Sequence, residues 1–260
     1  SDSNTTTMTG DISTTSDAAH GIYLYRSDSN TTTMTGDIST TGDDANGIYL
    51  FDSDSNTTTL TGDINVADGY GILIQDSDSN SSLLTGNITS TGDYALGIYL
   101  VNSDSNTTTV TGDILAAASI ADQAVYFNNS DSNIVNLTGS IKANQATADV
   151  IVLNSSSDNN TINLTLNAGD TLVGNILDNG SGNTLNININ NTTRSGSYIY
   201  TSSGSGDLTW NITDPSKPFV NGSAKSRGIA DIDDAANRLY QRFNLINDRL
   251  THEQRQVAQG

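Results

Sequence analysis

The chain has 260 residues, 34% of them hydrophobic, no cysteine and a formal net charge of −19. That balance argues against nucleic acid, which is bound by Lys and Arg neutralising phosphates, and against anionic membrane surfaces. No stretch approaches the ~20 apolar residues of a membrane-spanning helix, and without cysteine there is no disulfide framework or thiol chemistry.

From its first residue the chain repeats itself. SDSNTTTMTGDISTT at Ser1 returns at Ser27, and related copies begin at Ser53, Ser77, Ser103 and Ser130. Looser copies follow from Asn159 and Asn183, with a last echo at Asp207. A period near 26 residues marks a solenoid, whose units cannot bury an apolar face alone but form a continuous core when stacked. The chain opens inside this pattern, which reads as a segment of something longer.

Within each unit apolar residues alternate, the period of a half-buried strand. Two strands are expected per unit: one carrying Thr6, Met8 and Ile12 on one face, and one, GIYLY from Gly21, carrying Ile22 and Leu24 inward with Tyr23 outward. Aligned copies turn the inward positions into columns. One runs Met8, Met34, Leu60, Leu84, Val110, Leu137 and Leu164, a second Ile12, Ile38, Ile64, Ile88, Ile114 and Ile141, and a third Ile22, Ile48, Ile72, Ile98, Val125 and Ile151. Gly10, Gly36, Gly62, Gly86, Gly112 and Gly139 recur between inward positions and mark a bend. The reading is a parallel β-solenoid over residues 1–213 with eight to nine coils, a rod ~40 Å long at ~4.8 Å per coil.

The outward positions supply the candidate functional residues. Thr5, Thr7 and Thr9 repeat as Thr31, Thr33 and Thr35, as Thr57, Thr59 and Thr61, and as Thr107, Thr109 and Thr111. They form a grid of ~6.8 by ~4.8 Å, similar to the Thr-x-Thr faces of β-solenoid ice-binding proteins. Threonine also favours strands without any binding role, and Ser81, Leu83, Ile134 and Asn136 interrupt the grid. A second outward set is Tyr23, Tyr49, Tyr99 and Tyr126, interrupted by Leu73, which suits a recognition surface or a stack that stabilises the rod.

The SDSN corners carry a third candidate. Asp52, Asp54 and Asn56, and again Asp76, Asp78 and Asn80, spell D-x-D-x-N, the opening of a calcium loop with oxygen ligands at alternate positions. Position six is Thr57 or Ser81 where an EF-hand takes Gly, and no Glu closes either loop. Calcium is thus one reading of these stacked acids, and screening by water and salt is the other. The neighbouring Asn4, Asn30, Asn56, Asn80, Asn106 and Asn133 are expected to form an amide ladder. No catalytic constellation is visible: the acids repeat coil after coil rather than differing at one place, and Arg26, Lys142 and Arg194 are isolated.

Beyond the repeats, residues 214–228 read as a linker around Pro215 and Pro218, and 229–260 as an amphipathic helix. Ile232, Ala236, Leu239, Phe243, Ile246 and Leu250 fall on one stripe, with Asp231, Asp233 and Asp234 at the N-terminal end that the helix dipole favours.

TINLTLNAGDTLVGNILDNGSGNTLNININ from Thr161 resembles the last coils of a bacterial autotransporter passenger of the type V secretion route, and RLYQRFNLINDRLTHEQRQVAQG resembles that family's helical linker. The resemblance implies an all-β, right-handed parallel β-helix with a C-terminal amphipathic α-helix leading toward an outer-membrane β-barrel. It implies a bacterial cell-surface, outer-membrane or secreted location, and a non-enzymatic adhesin or stalk contacting other cell-surface or matrix molecules, or copies of itself. Ice binding is the alternative, followed by a polysaccharide-binding or tailspike-type protein.

Overall fold

The computed structural model describes residues 2–93, 96–118, 123–144, 148–190, 197–213 and 229–230. The chain winds as a parallel β-solenoid. The first strand of each turn joins one sheet: β1 (Thr5–Thr9), β4 (Thr31–Thr35), β7 (Thr57–Thr61), β10 (Ser81–Thr85), β13 (Thr107–Thr111), β16 (Ile134–Thr138), β19 (Thr161–Asn167), β21 (Thr184–Asn190) and β23 (Thr209–Thr213). All nine pair in parallel, in the register of the sequence repeat and without a bulge.

Two further strands complete each early turn. Second strands are β2 (Ile12–Thr14), β5 (Ile38–Asp43), β8 (Ile64–Asp68), β11 (Ile88–Gly92), β14 (Ile114–Ala118) and β17 (Ile141–Ala143). Third strands are β3 (Ile22–Tyr25), β6 (Ile48–Phe51), β9 (Tyr70–Gln75), β12 (Leu96–Val101), β15 (Val125–Asn128) and β18 (Asp149–Leu153). In the seventh turn the two stations fuse into β20 (Thr171–Asp178), which pairs with β17 through Leu172 and Val173 and with β18 through Asn175 to Asp178. Gly174, at φ 135°, sits at the junction. Fusion shortens the turn: the corner asparagines, 26 or 27 residues apart in most turns, are 23 apart here. About seven turns are complete, fewer than the sequence suggested, and β21, β22 (Ser197–Ser203) and β23 carry the stack on.

The expectation of two strands per turn is corrected to three. Met8 and Ile12 lie on different strands because the recurring glycine breaks the chain between them. Gly36, Gly62, Gly86 and Gly112 hold φ between 141° and 152°, a region L side chains rarely adopt. A Cβ at each would lie 2.0–2.3 Å from the carbonyl oxygen of the glycine one turn before. Both φ and the close approach require glycine.

The core is the expected set of columns. From Met34 to Leu164, Ile38 to Ile141 and Ile48 to Ile151 every inward member is at most 3% exposed, whereas Met8 on β1, which borders β4 alone, is 38% exposed. A fourth column changes character along the rod: Thr32, Thr58, Ser82 and Thr108 give way in register to Val135, Ile162, Leu185 and Trp210. The hydroxyls of Thr58, Ser82 and Thr108 are buried without a protein partner, so the early turns bury less apolar surface than the late ones.

At the C-terminal end, Ile229 and Ala230 form β24 (Ile229–Ala230), antiparallel to β22. The 214–228 linker and residues 231–260 of the expected C-terminal helix lie outside the described residues.

Replacing Gly62 by Ala should lower stability by at least ~2 kcal/mol, through strain and the contact with the Gly36 carbonyl. Gly10→Ala, with nothing within 4 Å of the new methyl, should cost clearly less. Thermal melts followed by circular dichroism compare the two, and equal losses would refute the close-approach account.

Candidate interaction faces

Each turn begins at an SDSN corner, and three side-chain ladders run through it. The backbone N–H of Asn4 donates to Asn30 Oδ1, Asn30 to Asn56, Asn56 to Asn80, Asn80 to Asn106, Asn106 to Asn133, Asn133 to Asn160 and Asn160 to Asn183, all at 2.8–2.9 Å. This is the expected asparagine ladder, buried from Asn30 onward. Beside it, the N–H of Ser27, Ser53, Ser77, Ser103 and Ser130 donates to the serine hydroxyl of the following turn at 2.9–3.3 Å.

The aspartates point the other way. The N–H of Asp54 donates to Asp28 Oδ1, Asp78 to Asp54, Asp104 to Asp78, and Asp131 to Asp104, at 2.7–2.8 Å. A second acidic ladder follows the glycine bend: Asp37 N–H donates to Asp11, Asp63 to Asp37, Asn87 to Asp63, Asp113 to Asn87 and Ser140 to Asp113. A carboxylate accepting a backbone N–H makes a charge-assisted bond, which offsets the repulsion of stacking like charges.

The candidate calcium set does not assemble. Ser55 and Ser79 have φ of 58°, and this left-handed residue reverses the chain between Asp and Asn. Asn56 and Asn80 are buried with Oδ1 engaged by the preceding turn. Asp54 and Asp78 stay exposed, and Asp52 is held by Arg26 at 2.9 Å. Asp76 Oδ1 accepts from Asn102 Nδ2. Among the described residues no group of three or more His, Cys, Asp or Glu side chains is placed to hold a metal.

The tyrosines form a stack. Tyr23 and Tyr49 lie with centroids 5.1 Å apart and Tyr99 and Tyr126 5.0 Å apart, with interplanar angles of 20° and 7°. Leu73 fills the gap in register and is buried. A second column that the sequence reading missed pairs Tyr25 with Phe51 at 5.5 Å. Tyr70 meets Tyr99 edge-on, and Arg26 lies over Tyr25 at 5.0 Å. In these stacks the paired rings cover part of each other's faces, which stiffens the rod, while Tyr23 and Tyr25 remain 47% and 45% exposed. Burial pushes the Tyr49 hydroxyl up to about 12, and it donates to Gln75 Oε1 at 2.8 Å.

The nine-stranded sheet is different. Its outward positions form three columns, beginning at Thr5, Thr7 and Thr9. The column from Thr9 runs unbroken through Thr35, Thr61, Thr85, Thr111, Thr138 and Thr165, so the interruptions read from the sequence affect only the other two. The middle column turns from threonine to an amide ladder in which Asn163, Asn186 and Asn211 each donate to the asparagine one turn before at 2.7–2.8 Å. Leu83 and Ile134 are exposed on this face, at 41% and 40%. No Asp, Glu, Lys or Arg occupies any outward position from Thr5 to Thr213, although the chain carries −19. Comparison with family models, curated proteins and solved structures finds no match.

One carboxylate could pass for catalytic. Asp178 is buried, and desolvation raises its pKa against the opposing pull of Asn183 and the N–H groups of Gly180 and Leu208. Its Oδ1 accepts from Asn183 Nδ2 at 2.9 Å, and its Oδ2 has no hydrogen-bond partner. It occupies an inward position of β20, and the groups that act on it are Asn183, Gly180, Leu208 and Asp207.

Because the folded pKa of Asp178 lies above the unfolded one, folding favours the protonated acid. Its stability contribution is intact below the ordinary carboxylate pKa and is lost as pH rises through the elevated folded value. Asp178→Asn should therefore raise the melting temperature at pH 7 and change little near pH 3. A variant less stable at pH 7 would show that the charge itself is needed.

Proposed function

We propose that this chain is a non-enzymatic rod, displayed outside the cell as an adhesin or stalk, that makes repeated weak contacts through the uncharged face of its nine-stranded sheet. The observation that carries the reading is the sorting of charge. In a chain of −19, no charged side chain projects from this sheet, and aspartate ladders border its early strands. Charges projecting from a face keep other surfaces hydrated and apart, and their absence across nine strands leaves a surface that desolvates cheaply.

Identical patches repeated along a rigid body gain avidity without a single strong site. The partners of this reading are cell-surface or matrix molecules, and its location is the bacterial surface. The passenger-like repeats support display by an autotransporter route, in which residues 229–260 would lead toward an outer-membrane barrel. Ice binding is a second reading, favoured by one observation: the unbroken seven-threonine column from Thr9 to Thr165.

Bacteria displaying the chain should clump or adhere, and those displaying a version lacking residues 1–155 should not. Equal adhesion by both would remove the adhesin reading. Thermal hysteresis and faceted ice in the purified protein would favour the second reading instead, and unchanged ice growth would end it.

A further inference from the structure

We propose that the partner of the uncharged face is a second copy of this chain, packed sheet to sheet. The inference rests on the contact-rod reading and goes further by naming the occupant.

Area makes the pairing feasible. Nine strands at ~4.8 Å give a face ~40 Å long, and five residues at ~3.3 Å give a width of ~17 Å. Two such faces together remove about 1,300 Å² from water, inside the range of specific interfaces, which starts near 1,200 Å². That is the lower end, and it fits a reversible dimer better than a permanent one.

Chemistry favours a protein partner over a hydrated lattice. Asn163, Asn186 and Asn211 already donate to one another along the rod, which leaves fewer donors to order an external polar surface. The outward residues of the early strands are mainly threonines, each carrying a methyl group beside its hydroxyl, together with Leu83 and Ile134, both about two-fifths exposed. Such groups are stabilised by burial against similar ones. A second copy also matches the repeat along the rod by construction, since its strands have the same spacing and its columns the same order. Sheets packed face to face are a common arrangement, ~10 Å apart with interdigitating side chains.

Electrostatics sets the condition for pairing. Acidic ladders lie before and after the early strands of this sheet, so two docked copies bring like-charged rims together while the centre stays neutral. Association should therefore be opposed at low ionic strength and favoured when salt screens the rims.

Sedimentation equilibrium of the full chain at about 0.01 M and about 1 M salt, where the Debye length is ~30 Å and ~3 Å, reads this directly. The expected result is a monomer–dimer equilibrium whose dissociation constant falls at least about tenfold across that range. A triple variant, Thr33→Lys with Thr59→Lys and Thr109→Lys, should remain monomeric. So should the corresponding Glu triple, and an equimolar mixture of the two should pair again. Asn65→Lys, on the outer side of the second sheet, should pair like the parent. Circular dichroism and melting of each variant confirm that it is folded.

A chain monomeric at every salt concentration overturns the inference, as does an equal loss of pairing in Asn65→Lys. If displaying cells still adhere while the purified chain stays monomeric, self-pairing is wrong and the adhesive reading stands. If the chain pairs in solution and displaying cells do not adhere, the adhesive reading falls and self-pairing stands.

Discussion

A stacked turn must give its backbone N–H groups an acceptor at the corners, where strand pairing stops, and this constraint shapes everything else in the molecule. Buried N–H groups left without a partner cost ~1–3 kcal/mol each, and a rod of many turns presents that problem at every corner. The SDSN segment solves it with side chains: asparagine and serine accept from the turn before, and aspartate accepts from the turn after. The two directions clamp each corner between its neighbours. They also fix register, because a one-residue slip would misplace every acceptor along the stack.

The same solution explains why so acidic a chain folds with so thin a core. Many of the aspartates are part of the hydrogen bonding of the solenoid, accepting backbone N–H groups at the corners. The strands between corners need no charge, and the first sheet has none facing outward. The uncharged outer face of the first sheet follows from how the turns are joined. The aromatic columns belong to the same pattern: their rings repeat at the stacking distance, and Leu73 bridges the break.

Much of this was legible in the sequence because repetition converts a local pattern into columns. The inward Met34, Ile38 and Ile48 series, the glycine bend and the asparagine ladder could all be read from alignment of the copies. The calcium reading assumed that alternation continues through the corner. Asp54 and Asn56 would share a face in a strand, but the left-handed Ser55 turns one outward and the other inward. The serine ladder and the backbone hydrogen bonds of the stacked aspartates were missed for a related reason: which neighbour a corner side chain reaches depends on corner geometry, and composition does not encode it. Tyr25 and Phe51 lie at strand ends, where alternation is weakest. The uncharged face was present in the sequence, yet it became visible only once the third column could be followed through Thr85, Thr138 and Thr165.

Native-state hydrogen exchange at the corner amides tests the clamp most directly. The N–H groups of Asn56, Asn80, Asn106 and Asn133, which no strand protects, should exchange as slowly as those of Leu60, Leu84, Val110 and Leu137 within the sheet, opening only with the stack as a whole. Corner amides that exchange at the rate of a free loop, while the strands remain protected, would show that the ladders do not join the turns and would contradict the account.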